Sequence, residues 1–329
     1  MESIETRKIV KVGAKSLAIS IPKKWAQNIG IEPGDSVDLI LNKDGTITIK
    51  PHKLSIKIET VNALKINVSN YGSDELAKLI EGSYIDGYDT IILEKISDSE
   101  TITSLLSNLA LKLPGMVVFS EGDTVTIKIA LSDSIIRFDE VFQRMVNVLT
   151  AMFENVDRFL RTGREEYVKK VLLLDDELDR MYFLGLRLIN RRLLTSTDVY
   201  KEFKEAIDLA LTIKFIEIIG DCIDRSVRIL IANPNLREEY GSLLTKLYLT
   251  AMKLALDSVY IHRSSNIRTV VKVLKRKSEY IWEVRKLRDE LASKASPIVG
   301  VLVELEMIAD LIADLMEIAS MKCARSIEK

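Results

Sequence analysis

The sequence predicts a multidomain protein of three parts: an N-terminal all-β module, a small α/β sandwich, and a C-terminal all-α pair of three-helix bundles. Short alternating segments separated by turns predict the first part, residues 1–52. Strand and helix signals alternate over residues 53–131, which predicts the sandwich. Helical periodicity fills residues 132–329 in two copies, which span about residues 132–235 and 236–329.

The composition narrows the class of protein. A chain of 329 residues is long enough for two or three domains, and 47% hydrophobic residues exclude a disordered chain. Lys and Arg total 47 against 48 Asp and Glu, so any nucleic-acid binding must be confined to a local patch. The polar start Met1–Glu5 is not a signal peptide, and no apolar stretch reaches the roughly 18 residues of a spanning helix. We therefore expect a cytoplasmic protein, with Cys222 and Cys323 as reduced thiols.

The first part has the pattern of four short strands between residues 7 and 50. Ser16–Ile21 alternates polar and apolar residues, which is typical of a strand with one buried face. Pro22 suits the first turn of a short helix, and Asp44-Gly45 is a strong hairpin turn. Four strands of about five residues bury too little surface to be stable alone. The pattern therefore predicts an all-β module that folds as a dimer.

Basic residues cluster in this module. Up to Gly30 there are six of them against the two acids Glu2 and Glu5, which gives a local net charge of +4 that a dimer doubles. Such a patch can follow the phosphates of DNA. The alternative is an ordinary charged strand edge, where lysine prevents aggregation. The six basic residues are Arg7, Lys8, Lys11, Lys15, Lys23 and Lys24.

The middle part has the element order βαβαββ. Ser73 is positioned to cap a first helix, and a second helix spans about Glu100–Leu113 before it stops at Pro114-Gly115. A hairpin follows around Glu121–Asp123. The most distinctive stretch is Tyr84–Asp89, to which the sequence assigns no ligand.

The helical part contains an internal repeat. Leu149–Met152 recurs as Leu249–Met252 at an offset of 100 residues. Glu217–Asp221 corresponds to Glu306–Asp310 at an offset of 89 residues. The difference of 11 residues predicts a longer loop near Asn190–Tyr200 in the first copy. Each copy holds three helical segments, so the sequence predicts two three-helix bundles.

Acidic helix faces are the sharpest feature of this repeat. In each copy three acids fall at helical spacings of four and then three or four residues, so they share one face. Like charges at this spacing repel each other, so the face needs a counter-charge. A bound metal ion is one answer, because cations accept carboxylate oxygens. The acids are Glu217, Asp221 and Asp224 in the first copy and Glu306, Asp310 and Asp314 in the second.

The alternative is that these faces are solvated or paired with basic side chains. In the second copy the neighbouring helix offers Arg268, Lys272 and Arg276 as partners. In the first copy Lys214 and Arg228 flank the acids, which favours ion pairs there. Spacing alone therefore favours metal in the second copy over the first.

Residues 7–51 resemble the SpoVT/AbrB swapped-hairpin domain. The resemblance rests on the succession Arg7-Lys8, Val12-Gly13, Ser16, Ser20–Trp25, Gly30-Ile31, Pro33–Asp35 and Gly45–Ile47. It implies that two chains exchange hairpins to form one barrel, and that basic strand and loop residues contact DNA. The DNA-binding candidates by position are Arg7, Lys8, Lys11, Lys15, Ser16, Lys23 and Lys24.

The helical part resembles PhoU, the phosphate-uptake regulator built from two three-helix bundles. The shared motif is E-x-x-x-D with a small residue before the aspartate, present as Glu217–Asp221 and Glu306–Asp310. PhoU-like proteins bind multinuclear iron or zinc clusters through such carboxylates, joined by an acid on the preceding helix. The implied metal-site residues are Asp179, Glu217, Asp221 and Asp224, with Asp175 or Asp176 beside them, and Glu279, Glu306, Asp310 and Asp314.

The chain departs from the PhoU pattern at two places. Cys222 and Leu311 follow the motif aspartates, where a polar residue or a histidine is common in the family. Lys275-Arg276-Lys277 replaces the acids expected before Glu279. These departures weigh against metal binding, and most strongly against metal binding in the second copy.

The combination resembles archaeal PhoU-type regulators. It implies a homodimeric, DNA-binding transcriptional regulator in phosphate homeostasis, whose helical part senses a metal, phosphate or a partner protein. The alternative is an adaptor that docks a phosphate-transporter ATPase or a signalling kinase, with the N-terminal part serving only dimerisation. A metal-dependent hydrolase is the third hypothesis, but the sequence offers no general base or open coordination site, so we expect no enzyme.

Overall fold

The computed structural model describes residues 5–41, 45–52, 63–131, 135–195, 199–261, 266–292 and 296–327. The chain divides into two compact units, Met1–Val61 and Asn62–Lys329. Asp44 of the predicted hairpin turn and the domain boundary predicted at residue 53 lie outside the described residues.

The N-terminal unit, called the head below, consists of two hairpins and a short helix. Its elements in chain order are β1 (Val10–Val12), β2 (Ser16–Ala18), α1 (Lys23–Asn28), β3 (Val37–Leu41) and β4 (Ile47–Pro51). Strands β1 and β2 pair antiparallel, and so do β3 and β4. The two hairpins and the helix are confirmed, but β1 and β2 have only three residues each and are shorter than predicted.

The head has no buried core among its described residues. All their side chains are exposed or half-buried, and the exposed ones include apolar residues from every strand. Leu17, Leu39 and Leu41 are 72%, 68% and 76% exposed. Within the described residues of the head, the apolar side chains of the strands are therefore not covered by a core.

The second unit begins with the predicted α/β part. Its sheet has the strand order β5-β6-β8-β7, in which β5 and β6 are parallel and the other pairs are antiparallel. The βαβαββ order is confirmed. The elements are β5 (Ala63–Asn67), α2 (Ser73–Ile85), β6 (Thr90–Glu94), α3 (Ser99–Lys112), β7 (Met116–Glu121) and β8 (Thr124–Ile129).

The helix starts in this part differ slightly from the prediction. Ser73 is the first residue of α2, and Gly72 is its N-cap; the Gly72 N–H donates to the Glu75 carboxylate at 2.8 Å. Helix α3 is capped by Asp98, whose carboxylate accepts from the Thr101 N–H at 3.1 Å. In both cases an acidic side chain satisfies a backbone N–H that the helix itself leaves unpaired.

The rest of the second unit is helical, and the two predicted three-helix repeats are confirmed. The described helices are α4 (Phe138–Thr162), α5 (Glu165–Thr195), α6 (Val199–Ala232), α7 (Asn235–Ile261), α8 (Ile267–Ala292) and α9 (Ile298–Ile327). The repeats share one core, because α4 packs on α7 and α6 packs on α9. Of the helices described, none combines the length and hydropathy that crossing a membrane requires.

The longer loop predicted near Asn190–Tyr200 is replaced by helix. Helix α5 continues to Thr195, and α6 already begins at Val199. Helical packing explains this, since Leu188 and Ile189 are buried in the last turns of α5. The additional residues of the first repeat therefore lengthen its helices.

These last turns of α5 attach the α/β part to the helices. The Arg187 guanidinium is buried, and it donates to the carbonyl oxygens of Tyr84 and Tyr88 at 2.8 and 2.9 Å. It also donates to the Asp89 carboxylate at 2.8 Å, which Arg191 contacts at 2.5 Å. The distinctive stretch Tyr84–Asp89 is therefore the docking point of α5, a role that the sequence did not indicate.

Gly87 makes this docking possible. Its φ is +92°, a left-handed conformation that favours glycine. A Cβ atom at this position would lie 2.9 Å from Cγ of Arg191. The turn after α2 therefore needs glycine both for its backbone and for the close approach of α5.

Arg187→Met should destabilise the second unit by about 3 kcal/mol, because it leaves two carbonyl groups and a carboxylate without their buried partner. The measurement is chemical denaturation. The matched control is Arg161→Met, which removes an exposed arginine that contacts Asp157 within α4, and it should change the stability by less than about 1 kcal/mol. Equal losses in the two variants would contradict the docking role of Arg187.

Candidate functional site

Three carboxylates meet where α5 and α6 pack together. Asp179 lies on α5, and Glu217 and Asp221 lie one turn apart on α6. One oxygen atom of each lies within 4.8 Å of the others, close enough to bind a single metal ion. Within the described parts of the chain this is the one group of three possible ligands that meets this distance.

Gly220 lets the two helices approach closely at this point. A Cβ atom at Gly220 would collide with the side chain of Leu178, which is fully buried against it. The small residue before Asp221, a part of the E-x-x-x-D pattern, is thus explained by packing. It brings the acids of α6 against Asp179 on α5.

Two further acids stand beside this group. Asp175 lies one turn before Asp179, and Asp224 lies one turn after Asp221 on α6. The Oδ1 atoms of Asp175 and Asp224 are buried and have no hydrogen-bond partner. Asp176, the neighbouring candidate, is exposed.

The electrostatics of the group disfavour its own negative charge. Burial, together with the carboxylates of Asp224, Asp179 and Asp221, raises the pKa of Asp175 to about 7. Burial also raises the pKa of Asp179, an effect that Asp221 reinforces and that Lys112 and Lys214 oppose. A cation placed among these oxygens would relieve both the desolvation and the repulsion.

Basic side chains neutralise this group only in part. Lys214 contacts Glu217 at 2.6 Å, and Arg228 contacts Asp224 at 2.6 Å, as the ion-pair alternative predicts. Burial raises the pKa of Glu217, although Lys214 opposes this effect. Arg225 also approaches Asp221, at 3.6 Å, so three bases lie beside the five acids Asp175, Asp179, Glu217, Asp221 and Asp224.

The acids of the second repeat are held differently. Arg285 and Arg288 both contact Glu306, and the Arg285 contact is 2.5 Å long. Lys277 lies 3.5 Å from Asp310, which Arg285 also approaches at 3.9 Å. Ion pairs are thus present as the alternative predicted, but their bases are not the expected Arg268, Lys272 and Arg276.

The remaining candidates of the second repeat do not complete a site. Glu279 is exposed. Asp314 is half-buried, and burial raises its pKa with help from Glu317 and Asp310. Spacing alone favours a metal ion in the second repeat, whereas the geometry of the described residues favours the first. The reason is that spacing along one helix cannot show which basic side chains the next helix brings.

The two cysteines lie in the core as free thiols. The sulfur of Cys222 accepts a hydrogen bond from Arg225 at 3.1 Å, and burial is the main cause that raises the pKa of this thiol to about 12. The side chains that meet at the candidate centre are carboxylates, so its ligands would be oxygen atoms.

The DNA-binding candidates of the head are all exposed. Lys11 lies in β1, Lys15 in the turn after it, and Lys23 and Lys24 begin α1. Arg7 is paired with Glu5. Exposure makes these side chains accessible to a phosphate backbone, which is the condition that their predicted role requires.

Asp175→Asn should stabilise the metal-free protein above pH 7 by roughly 2 kcal/mol, since each pKa unit is worth about 1.4 kcal/mol and the carboxyl is only partly buried. The folded protein keeps this proton up to about pH 7, whereas an ordinary aspartate releases it near its usual 3.8. The stability of the wild type therefore falls as the pH rises between these values.

Thermal unfolding in a chelator at pH 4, 6 and 8 measures this difference. Wild type and Asp175→Asn should coincide near pH 4 and diverge by pH 8. Asp176→Asn is the control, because its side chain is exposed. A gap between wild type and Asp175→Asn that does not change with pH would contradict the expected titration.

Two family models match separate parts of the chain. Residues 9–57 match the model described as antidote-toxin recognition MazE, bacterial antitoxin. Residues 142–230 match the PhoU domain, and this range includes Asp179, Glu217 and Asp221. Both resemblances found in the sequence are thereby supported, the first at the level of a MazE/AbrB-like domain.

The chain is also similar to two solved structures. PhoU from Pseudomonas aeruginosa is 15% identical, with a TM-score of 0.48, over 57% of this chain and 96% of that protein. The phosphate transport system regulatory protein PhoU from Streptococcus pneumoniae is 15% identical, with a TM-score of 0.46, over 56% and 96%. No curated sequence matches significantly. One chain therefore contains a segment that matches the MazE model, residues 9–57, and a segment that matches the PhoU-domain model, residues 142–230.

Proposed function

We propose that the protein is a cytoplasmic, homodimeric transcriptional regulator of phosphate homeostasis. The head binds DNA, and the helical repeats carry the sensory centre. The observation that carries this proposal is the joining of a MazE/AbrB-like segment to a PhoU domain in one chain. Both classes of domain are regulatory, so the proposal includes no catalytic activity.

Dimerisation follows from the exposed apolar strands of the head. Burying one leucine side chain contributes about 2 kcal/mol, and Leu17, Leu39 and Leu41 are all largely exposed. A second head of the same sequence supplies a matching apolar surface, in the way that exchanged hairpins would. The dimer then provides the core that a module of this size cannot form alone.

DNA binding follows from the charge of the dimeric head. Each chain contributes six basic residues within the first thirty, and dimerisation brings two such sets into one particle. Lysine and arginine contacts to phosphates release counterions, so the affinity depends steeply on salt. The contacts to phosphate position the head, whereas base readout is left to the few polar side chains near them, such as Ser16.

The sensory centre is the carboxylate group of the first repeat. Asp179, Glu217 and Asp221 would hold iron or zinc, with Asp175 and Asp224 as additional oxygen donors. When bound, the metal supplies the positive charge that joins α5 to α6 across their acidic faces. The unpartnered buried oxygens of Asp175 and Asp224 are the feature of this chain that fits such a cation.

Lys23→Glu with Lys24→Glu should weaken binding to the protein's own upstream DNA by about 100-fold or more at low salt, because phosphate contacts become repulsive. Fluorescence polarisation over a series of salt concentrations measures the affinity and its salt dependence. The matched control is Lys169→Glu with Lys170→Glu, an adjacent pair of exposed lysines on α5, which should leave the affinity unchanged.

Dimerisation is tested in the same assay. Leu39→Asp should yield monomers and lose DNA affinity, whereas Leu173→Asp, on α5 and equally exposed at 69%, should do neither. Wild-type binding that is absent or independent of salt would overturn the DNA-binding function. It would favour the alternative, an adaptor that docks a transporter ATPase or a signalling kinase through its helices.

Glu217→Gln with Asp221→Asn should remove most of the metal that the wild type holds. Purified protein is dialysed against Zn²⁺ and then against buffer, and its metal content is determined by elemental analysis. Asp176→Asn, next to the centre but exposed, is the control and should keep the wild-type content. Equal zinc in the wild type and the double variant would exclude this centre.

A further inference from the structure

The E-x-x-x-D pattern occurs twice, but its surroundings differ between the repeats. We propose that the second copy is an ionic clamp between α8 and α9, in which three basic side chains take the position of the cation. The protein then has one metal-competent repeat. This inference rests on the proposed metal centre only for its comparison, since the clamp itself consists of protein side chains.

The first observation that supports the clamp is how Glu306 is held. Its side chain is only 14% exposed, and its two carboxylate oxygens are each engaged by a different arginine of α8. Arg285 contacts Oε1 and Arg288 contacts Oε2. A metal ion would have to displace a charge-assisted hydrogen bond from either oxygen before it could bind. Lys214 holds both oxygens of Glu217 in a similar way, so the first repeat differs by the buried, unpartnered oxygens of Asp175 and Asp224 beside its acids.

The second observation that supports the clamp is the position of Lys277. Its side chain is 15% exposed and its ammonium group approaches Asp310, the other acid of the pattern. Two acids, Glu306 and Asp310, therefore face three cations. Asp289 also contacts Arg288, and Asp314 lies near Asp310, so the cluster as a whole is not positively charged. A divalent cation would nevertheless have to compete with three fixed cations for the two acids of the pattern.

The repeat itself shows how this difference arises. At the offset of 100 residues that relates α5 to α8, each of the three bases has a counterpart in the first repeat that cannot play its part. A Cβ atom at Gly185 would lie 2.9 Å from the Ile213 side chain, so an arginine has no room there. The corresponding pairs are Glu177 and Lys277, Gly185 and Arg285, and Leu188 and Arg288.

The side chains of the other two counterparts, Leu188 and Glu177, make different contacts. Leu188 is buried in a small apolar cluster with Val141 and Leu184. Glu177 contacts Arg144 on α4 at 2.5 Å. In the first repeat, therefore, none of the three positions offers a cation to the acids. We infer that residues 277, 285 and 288 decide that the second repeat is clamped.

Glu306→Gln with Asp310→Asn tests the clamp in the full-length protein. In metal-free protein these substitutions should lower Tm by about 5 °C or more, because they leave half-buried basic groups unpaired. Zinc content after dialysis against Zn²⁺ should equal that of the wild type. Zinc loss without a change in the metal-free Tm would overturn the proposal, because the acids would then be metal ligands.

The converse variant combines Lys277→Glu, Arg285→Gly and Arg288→Leu, which places the first-repeat residues in the second. It should bind more zinc than the wild type, and its Tm should rise with Zn²⁺ by more than that of the wild type. Arg288→Leu alone, a smaller change, should show a weaker shift in the same direction. If neither variant gains zinc or zinc-dependent stability, these positions do not decide metal competence.

The outcomes separate this proposal from the proposed function. A wild type without zinc would reject the metal centre of the first repeat but not the clamp. The metal-free Tm of Glu306→Gln with Asp310→Asn would still decide the clamp. An unchanged Tm in that variant would reject the clamp even if the first repeat binds zinc.

Discussion

The buried guanidinium of Arg187 is the interaction on which the second unit depends. A charge without solvent must be satisfied by fixed partners, and Arg187 finds them in the turn after α2. Since Asp179 lies eight residues earlier on α5, about 12 Å along the same helix, the docking point and the candidate metal centre share one rigid element. The influence of Lys112 of α3 on the pKa of Asp179 is a second link between the α/β part and this centre.

The same pattern of acids occurs in both repeats, but different basic side chains surround it. In both, carboxylates of one helix face the preceding helix and require positive charge. The second repeat has that charge in Arg285, Arg288 and Lys277, which makes it a self-contained ionic contact. In the first repeat three bases lie beside five acids, and burial together with the neighbouring carboxylates raises the pKa of Asp175.

Much of the fold was predictable because it depends on local patterns. The βαβαββ order, the two hairpins of the head and the paired helical repeats all follow from periodicity and turn residues. The site was less predictable. Spacing identified the acids of α6 and α9 and favoured the second repeat for metal, whereas the geometry of the described residues favours the first. Spacing along one helix could not show this difference, because it depends on residues of the preceding helices. The role of Tyr84–Asp89 was also missed, since its partners are about a hundred residues away in the chain.

The sequence by itself determined which residues are acidic, apolar or basic and on which face of each element they lie. It thereby determined the exposed apolar strands of the head and the repeated carboxylates. The tertiary structure alone decided which charges meet. Ion pairing depends on distances between helices, and these are set by packing contacts such as Leu178 against Gly220. A clamp and a candidate metal centre therefore arise from the same sequence pattern in two different surroundings.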